Sequence, residues 1–365
     1  MKKKRILFIS PSLAQGGAER QIVNVAIKLK KRGYKSEFLC YGCGDFYEDL
    51  LRSADIPVKW IKHNHFLRLI TCTWFIHRGK YHVLVSFLPT PSFISCFAAM
   101  ISKRWKVITG ERSSIIKKPK SATAKFAIWL QRYSDAIVCN SNNAKNMWEA
   151  LFPQYEAKMA TIYNTIEERV ITSEYIPKRK GKLHICVAAT VYAAKNPVGL
   201  INALLLMNEQ EREKIEIDWY GKEEAETGKR DVYDETCRLI VEYKLEEYIH
   251  LHPATKDIGN RMMEADCVAL FSEYEGLPNA ICEGMTLAKP IIMTRVSDYR
   301  ELVEDGKNGF LCDWDKPETI KNAIFKMVDA SVDALKSMGE LSAKKAKYLF
   351  SEDIVINQWQ ELIEK

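Results

Sequence analysis

Short apolar runs recur along this 365-residue chain, each followed by a helical or long connection. In the first half they fall at 5–10, 37–41, 82–87, 106–109, 136–140 and 160–163. The pattern restarts in the second half, at 183–188, 215–220, 249–252, 267–271 and 290–294. Strands this short, spaced this way, predict doubly wound parallel sheets of the α/β class. Two such series, each about one domain long, predict twin Rossmann-like domains over 1–175 and 183–345, with a cleft between them. A basic run with Pro177, at 172–182, reads as the linker. The first helix is expected at 18–32. It has Ile22, Val23, Ala26, Ile27 and Leu29 on one face, lysines at its end and Gly33 as its stop.

Within the second series, Glu275 and Glu283 stand eight positions apart in Ser272-Glu-Tyr-Glu-Gly-Leu-Pro-Asn-Ala-Ile-Cys-Glu-Gly-Met285. The strand at 267–271 precedes them. A turn with Gly276 follows, and Pro278 suits the first turn of a helix. Glu275 is therefore expected in the loop after a strand, and Glu283 one to two turns into the helix. Ligands of open α/β sheets bind at that end, and helix-start N–H groups favour anions. Two carboxylates beside an anion site suggest a ligand carrying hydroxyls and phosphate. The bland alternative is two surface carboxylates, one near a helix start.

This segment resembles the signature of the retaining GT-B glycosyltransferases of family 4, and Lys289-Pro-Ile-Ile-Met-Thr294, Arg300-Glu-Leu-Val303 and Asp305-Gly-Lys-Asn-Gly-Phe310 fit it too. The resemblance implies a GT-B fold whose last helix, at 351–364, crosses back to the first domain. It also implies a nucleotide-sugar donor, with Glu275 on the sugar hydroxyls and Glu283 on the ribose. Backbone near Gly276, Leu277, Pro278 and Asn279 would help to hold the diphosphate, and backbone near Pro253 the base.

Three further loops carry candidates. Gly16-Gly17 lies between the first strand and first helix, where glycines let backbone approach an anion; a plain tight turn is the alternative. It lacks the Gly-x-Gly-x-x-Gly dinucleotide pattern, which disfavours NAD. Ala188-Ala-Thr-Val-Tyr-Ala-Ala-Lys-Asn196 opens the second domain. Relatives carry Gly-Arg and then Lys there, clamping the diphosphate; this chain keeps Lys195 but has Ala189-Thr190 in the Gly-Arg place. Diphosphate binding would then rest on Lys195, nearby amides and the Thr190 hydroxyl. Thr109-Gly-Glu-Arg-Ser-Ser114 ends a strand where many relatives place a His turn facing the donor sugar. Arg112 is the catalytic candidate, with simple pairing to Glu111 as the alternative. Asn140-Ser141 and Asn164 match family positions lining the cleft. Asp313-Trp-Asp315 reads as a helix start, with Asp315 three residues before Glu318. No catalytic metal or cofactor is expected, and Cys40-x-x-Cys43 has no second ligand pair.

Charge is uneven. Residues 1–180 hold 31 basic and 13 acidic side chains, a net of +18; residues 181–365 hold 23 and 34, a net of −11. Between 56 and 134 there are 14 basic residues and one acid, Glu111, with Trp60, Phe66, Trp74, Phe75, Trp105 and Trp129 among them. That mixture suits an anionic membrane surface or a solvated face over core aromatics; no nucleic-acid motif accompanies it. Ten scattered cysteines without framework spacing predict a reducing cytoplasm. The uncharged run 83–101 is long enough for a membrane span. Its prolines predict instead a buried strand, a Pro-containing loop and a buried helix. The expected activity is transfer of a sugar from a UDP-hexose or UDP-N-acetylhexosamine to a glycan or lipid-linked glycan in cell-surface polysaccharide assembly. It would take place in the cytoplasm, at the inner face of the membrane. An epimerase or phosphorylase on the same scaffold, and a non-catalytic binding protein, remain open.

Overall fold

The structure, a computed structural model, describes residues 3–62, 64–112, 118–166, 181–223 and 228–365, without the side chains of His65 and Phe66. Most of the expected linker, and Ser113-Ser114, lie outside the described residues. Two compact units form. One is Met1–Thr165 with Glu352–Lys365, the other Ile166–Ser351.

The first unit carries β1 (Arg5–Ser10), β2 (Lys35–Cys40), β3 (Val58–Trp60), β4 (Val83–Phe87), β5 (Lys106–Glu111), β6 (Ala136–Cys139) and β7 (Met159–Thr161). They make a parallel sheet in the order β3-β2-β1-β4-β5-β6-β7. The second carries β8 (Leu183–Ala188), β9 (Ile215–Gly221), β10 (Ile249–Pro253), β11 (Cys267–Leu270), β12 (Ile291–Thr294) and β13 (Gly309–Cys312). Their order, again parallel, is β10-β9-β8-β11-β12-β13. Each sheet reverses its winding once, between β1 and β4 and between β8 and β11. Such reversals leave a crevice at the carboxyl ends of the two strands.

Alternating side chains cover both faces of the first sheet. Ile6, Phe8, Phe38 and Val85 pack with Ile22, Val23, Ala26 and Leu29 of helix Gly17–Lys31. Val355, Ile356, Trp359 and Ile363 of helix Glu352–Glu364 join the same core. Leu7, Ile9, Leu84 and Val107 face the other way, onto helices His65–Arg78, Pro89–Ile101 and Ala122–Leu130. In the second unit Ile217 and Trp219 anchor a core with Leu200, Leu204 and Ile324. The buried Trp219 indole donates to Ala189 O at 2.7 Å, so its polar edge is satisfied.

Several expectations change. β3 and β13 are edge strands that the sequence reading missed: Lys59 interrupts the first and the second opens on Gly309. The expected loop before the helix at 83–101 is absent: Leu88, at φ 75°, turns the chain and Pro89 opens the helix directly. Among the described residues, no helix is long and apolar enough to cross a membrane.

Candidate functional site

Past the end of β8 the chain keeps beside β9. Ala189 N donates to Tyr220 O at 3.0 Å and Val191 N to Lys222 O at 2.9 Å. Only glycine permits this approach, since a Cβ on Gly221 would lie 1.8 Å from Ala189 O. Thr190 is thereby fixed, half-buried, at the sheet's end. A single helical turn, Ala193–Lys195, follows. Asn196 then takes the left-handed conformation, φ 60°, and caps helix Pro197–Leu205 by accepting from Gly199 N at 3.2 Å. This sequence of turns directs Lys195 towards β11.

There Lys195 Nζ pairs with the Glu275 carboxylate, the two side chains being 17% and 11% exposed. Ser272 Oγ donates to Glu275 Oε1 at 2.7 Å, and Glu273 N donates to Ala194 O at 2.8 Å, tying the two loops together. Thr294 Oγ1 holds Ser272 O at 2.7 Å, and Ser297 Oγ donates to Gly276 O. Sequence reasoning gave Ser272, Thr294 and Ser297 no part in the site. The available signal was a hydroxyl at each strand's end beside the glutamate loop. Lys195 and Glu275 thus meet across the reversal point of the second sheet, one from each strand that frames it.

Leu277 and Pro278 are buried after this loop, and helix Asn279–Thr286 begins. Pro278 is the N-cap residue rather than the first helical one, and contributes no side-chain cap. Glu283 sits half-buried in the second turn, one turn beyond Asn279 and on the same face. Gly284 lets this helix settle onto β11. Pro253 ends β10, exposed, paired with Gly221. Beside it is a cluster missed in the sequence. His184 Nε2 and His252 Nε2 each lie 2.6 Å from a different oxygen of Asp218, and His252 stacks on Tyr220 at 4.6 Å. Burial opposes ionisation of Asp218, but the two imidazole hydrogen bonds outweigh it and hold the carboxyl at about 2.

The first unit holds the remaining candidates. Gly16 precedes helix Gly17–Lys31 without a capping side chain, and Gly17 opens it. Arg112 follows β5. Its guanidinium stacks 3.7 Å from the centre of the Phe87 ring and donates through Nη1 to Asn164 Oδ1 at 3.2 Å. Gly110 leaves room for that ring, since a Cβ there would lie 2.5 Å from it. Burial pushes Arg112 down to about 10, so it stays charged at neutral pH. Among the described residues, its Nε and the Oδ1 of Asn140 are buried with no hydrogen-bond partner. Glu111 accepts from the Arg112 backbone N–H at 2.9 Å. Ser141 caps helix Asn142–Leu151, accepting from Ala144 N at 3.1 Å.

Asp315 does not cap the next helix. Lys316 occupies that position, and its side chain has no oxygen to accept from the first-turn N–H groups. Asp313 instead pairs with Arg295 at 2.9 Å. Among the described residues no group of three or more His, Cys, Asp or Glu side chains is placed to hold a metal. None of the ten cysteines is joined in a disulfide.

Two doubly wound parallel sheets, the second bearing a lysine–glutamate pair at its reversal point, define an α/β architecture with a crevice at each reversal. Residues 171–345 match the family described as Glycosyl transferases group 1, and residues 15–169 match Glycosyltransferase Family 4. The chain belongs to the group 1 glycosyltransferases of the GT-B fold. It is 24% identical over 388 residues to an uncharacterized glycosyltransferase of Haemophilus influenzae, covering 99% of this chain and 100% of that one. It is 24% identical over 226 residues to an uncharacterized glycosyltransferase of Methanocaldococcus jannaschii, covering 61% of this chain and 58% of that relative's length. The fold superimposes on Anabaena Alr3699/HepE, solved in complex with UDP and glucose, with a TM-score of 0.83 at 20% identity over 99% of each chain.

Proposed function

We propose that this glycosyltransferase moves a sugar from a UDP-hexose or UDP-N-acetylhexosamine to a hydroxyl of a glycan or lipid-linked glycan, with retention at the anomeric carbon. The observation that carries the reading is the Lys195–Glu275 pair across the reversal point of the second sheet, with Glu283 in the helix that follows. UDP is chosen because the similar Anabaena protein holds it. Lys195 would face the diphosphate together with the Thr190 hydroxyl and the amides of Leu277, Pro278's neighbour, and Asn279. Glu283 would take the ribose hydroxyls, Glu275 and the Gly276 turn the sugar hydroxyls, and backbone at Pro253 the base. In the first unit, Gly16 and Gly17 offer backbone to an anion and Arg112 a half-buried cation to charge developing in the reaction. As the anomeric C–O bond to the β-phosphate breaks, the acceptor oxygen bonds to that carbon from the same face. Its proton passes to the leaving phosphate oxygen. Lys195 and the oriented amides stabilise the charge left there.

Thr190 stands where relatives carry arginine, so the second unit meets the diphosphate with one cation fewer. Preorganised dipoles must supply more of the stabilisation. The basic region 56–134 supports peripheral contact with an anionic membrane. Free thiols throughout suit a reducing cytoplasm. Both fit an enzyme of surface polysaccharide or lipopolysaccharide assembly working at the inner membrane face.

The test is nucleotide release from UDP-, GDP-, ADP- and dTDP-sugars, with and without a lipid-pyrophosphate sugar acceptor, for the wild type and Glu275→Ala. Release from one donor, accelerated by acceptor and lost in the variant, supports the reading. Equal inertness of both proteins towards every donor, without binding, overturns it.

A further inference from the structure

Helix His65–Arg78 is apolar on opposite sides. Cys72 and Ile76 are buried in the core of the first unit. Leu67, Ile70 and Trp74, spaced at i, i+3 and i+7, form a stripe that is about half exposed, with Trp74 at 56%. A helix apolar all round is normally covered all round. Two neighbouring helices repeat the anomaly. Helix Pro89–Ile101 packs against His65–Arg78, with His77 Nε2 3.2 Å from Ala98 O, and ends in the exposed Ile101. Helix Ala122–Leu130 packs on its other side through Phe93 and Phe126, whose rings are 6.0 Å apart. Phe126 stacks on Trp129 at 5.6 Å, and both are exposed, Trp129 at 42%. The three helices form one layer over one face of the sheet.

The charged side chains carried by this stretch of the chain have one sign, and the nearby Asp135 is taken up by Lys103. No acid occurs in 56–110 or 112–134, while Lys62, Arg78, Lys80, Arg104, Lys125 and Arg132 are exposed there. Two of these cations are drawn over the exposed indoles. Arg78 lies 4.4 Å from the Trp74 ring centre and Arg132 5.0 Å from that of Trp129. By contrast Trp105, within the same basic stretch, is a core residue.

We infer that this three-helix layer is a membrane-inserting face, which seats Trp74, Trp129, Phe126, Ile70 and Leu67 at the acyl boundary of an anionic bilayer with the cations at its headgroups. The choice of occupant follows from the charge. Indoles and aliphatic side chains ringed by Lys and Arg match the interface of an anionic leaflet. A second copy of the chain would bring an equally basic face against it. The inference rests on the proposed membrane contact and deepens it from electrostatic attraction to insertion of named side chains.

The experiment is co-flotation with phosphatidylcholine vesicles containing 30% or no phosphatidylglycerol, about 0.1 M and 0.5 M salt being compared. The full-length wild type and Trp74→Glu/Trp129→Glu are used, with circular dichroism and UDP-sugar binding to verify that the variant is folded. Wild-type binding to anionic vesicles that partly survives high salt, quenching of tryptophan emission by brominated lipid, and a loss of about tenfold or more in partitioning for the variant are expected. Binding abolished by high salt and equal in both proteins would overturn insertion while leaving the electrostatic contact standing. Absence of binding at low salt would overturn both. Self-association of the wild type in light scattering, lost in the variant and without vesicle binding, would assign the face to a second copy and also overturn the inference.

Discussion

Gly284 lies against Val268 so closely that a Cβ on the glycine would sit 2.8 Å from the valine Cβ and Cγ2. The helix bearing Glu283 is thereby pressed onto Cys267–Leu270, the strand that leads into the Glu275 loop. Gly284→Ala should cost ~1–3 kcal/mol in overpacking and return ~1 kcal/mol in helix propensity, for a net loss of about 1 kcal/mol. Adding Val268→Ala should relieve the clash. Urea unfolding of the single and double variants checks this. A non-additive term near zero would contradict the contact.

Lys195→Ala should destabilise more than Lys195→Ala/Glu275→Ala, because the single change leaves a largely buried carboxylate without its cation. The single variant is expected to lose roughly 3 kcal/mol and the double distinctly less, measured in the same way. Turnover should fall ~100-fold or more in either, since the charge facing the leaving phosphate is gone. Equal stability of the two variants would argue against a pairing strong enough to matter.

Arg112→Lys keeps the charge and loses the planar stack on Phe87 with the directed bond to Asn164. A fall of about tenfold in kcat/KM is expected, with little change in donor affinity measured by calorimetry. Wild-type kinetics in the lysine variant would reduce Arg112 to a plain cation.

The His184–Asp218–His252 cluster predicts a pH window. For His184 burial works downward, but the hydrogen bond and charge of Asp218 carry it above its usual value. Its contribution is therefore full below about 6.5 and is lost as pH rises through the folded value. Asp218, held at about 2, contributes above the ordinary carboxylate range near ~3.9 and loses this as pH falls towards 2. The Tm difference between wild type and Asp218→Asn should be largest from about pH 4 to 6.5 and shrink on either side. A difference that stays constant from pH 5 to 9 would show that the imidazole charge is irrelevant.

The parallel sheets were legible because each buried strand is a short apolar run closed by turn residues, as at 183–188 and 267–271. The edge strands Val58–Trp60 and Gly309–Cys312 were not: Lys59 interrupts the first, and the second opens on Gly309 straight after the polar turn at 305–308, so neither stands out as an apolar run. Lys195 and Glu275 could each be picked out by position. Their mutual contact could not, since it depends on the left-handed Asn196 and on Gly221 lying under the Ala189 carbonyl. The two histidines on Asp218 escaped for a similar reason. They are 34 residues on either side of it, and only strand register makes them neighbours.

Helix Glu352–Glu364 places Val355, Ile356, Trp359 and Ile363 in the same core as Ile6 and Phe8. The whole of Ile166–Ser351 is thus threaded between two parts of one body. On the ribosome, where domains form as units from the N-terminus onwards, the second unit has all its residues before the first does. The body begun first can be completed only after residues 352–365 have been made, with the hydrophobic slot for Trp359 open until then.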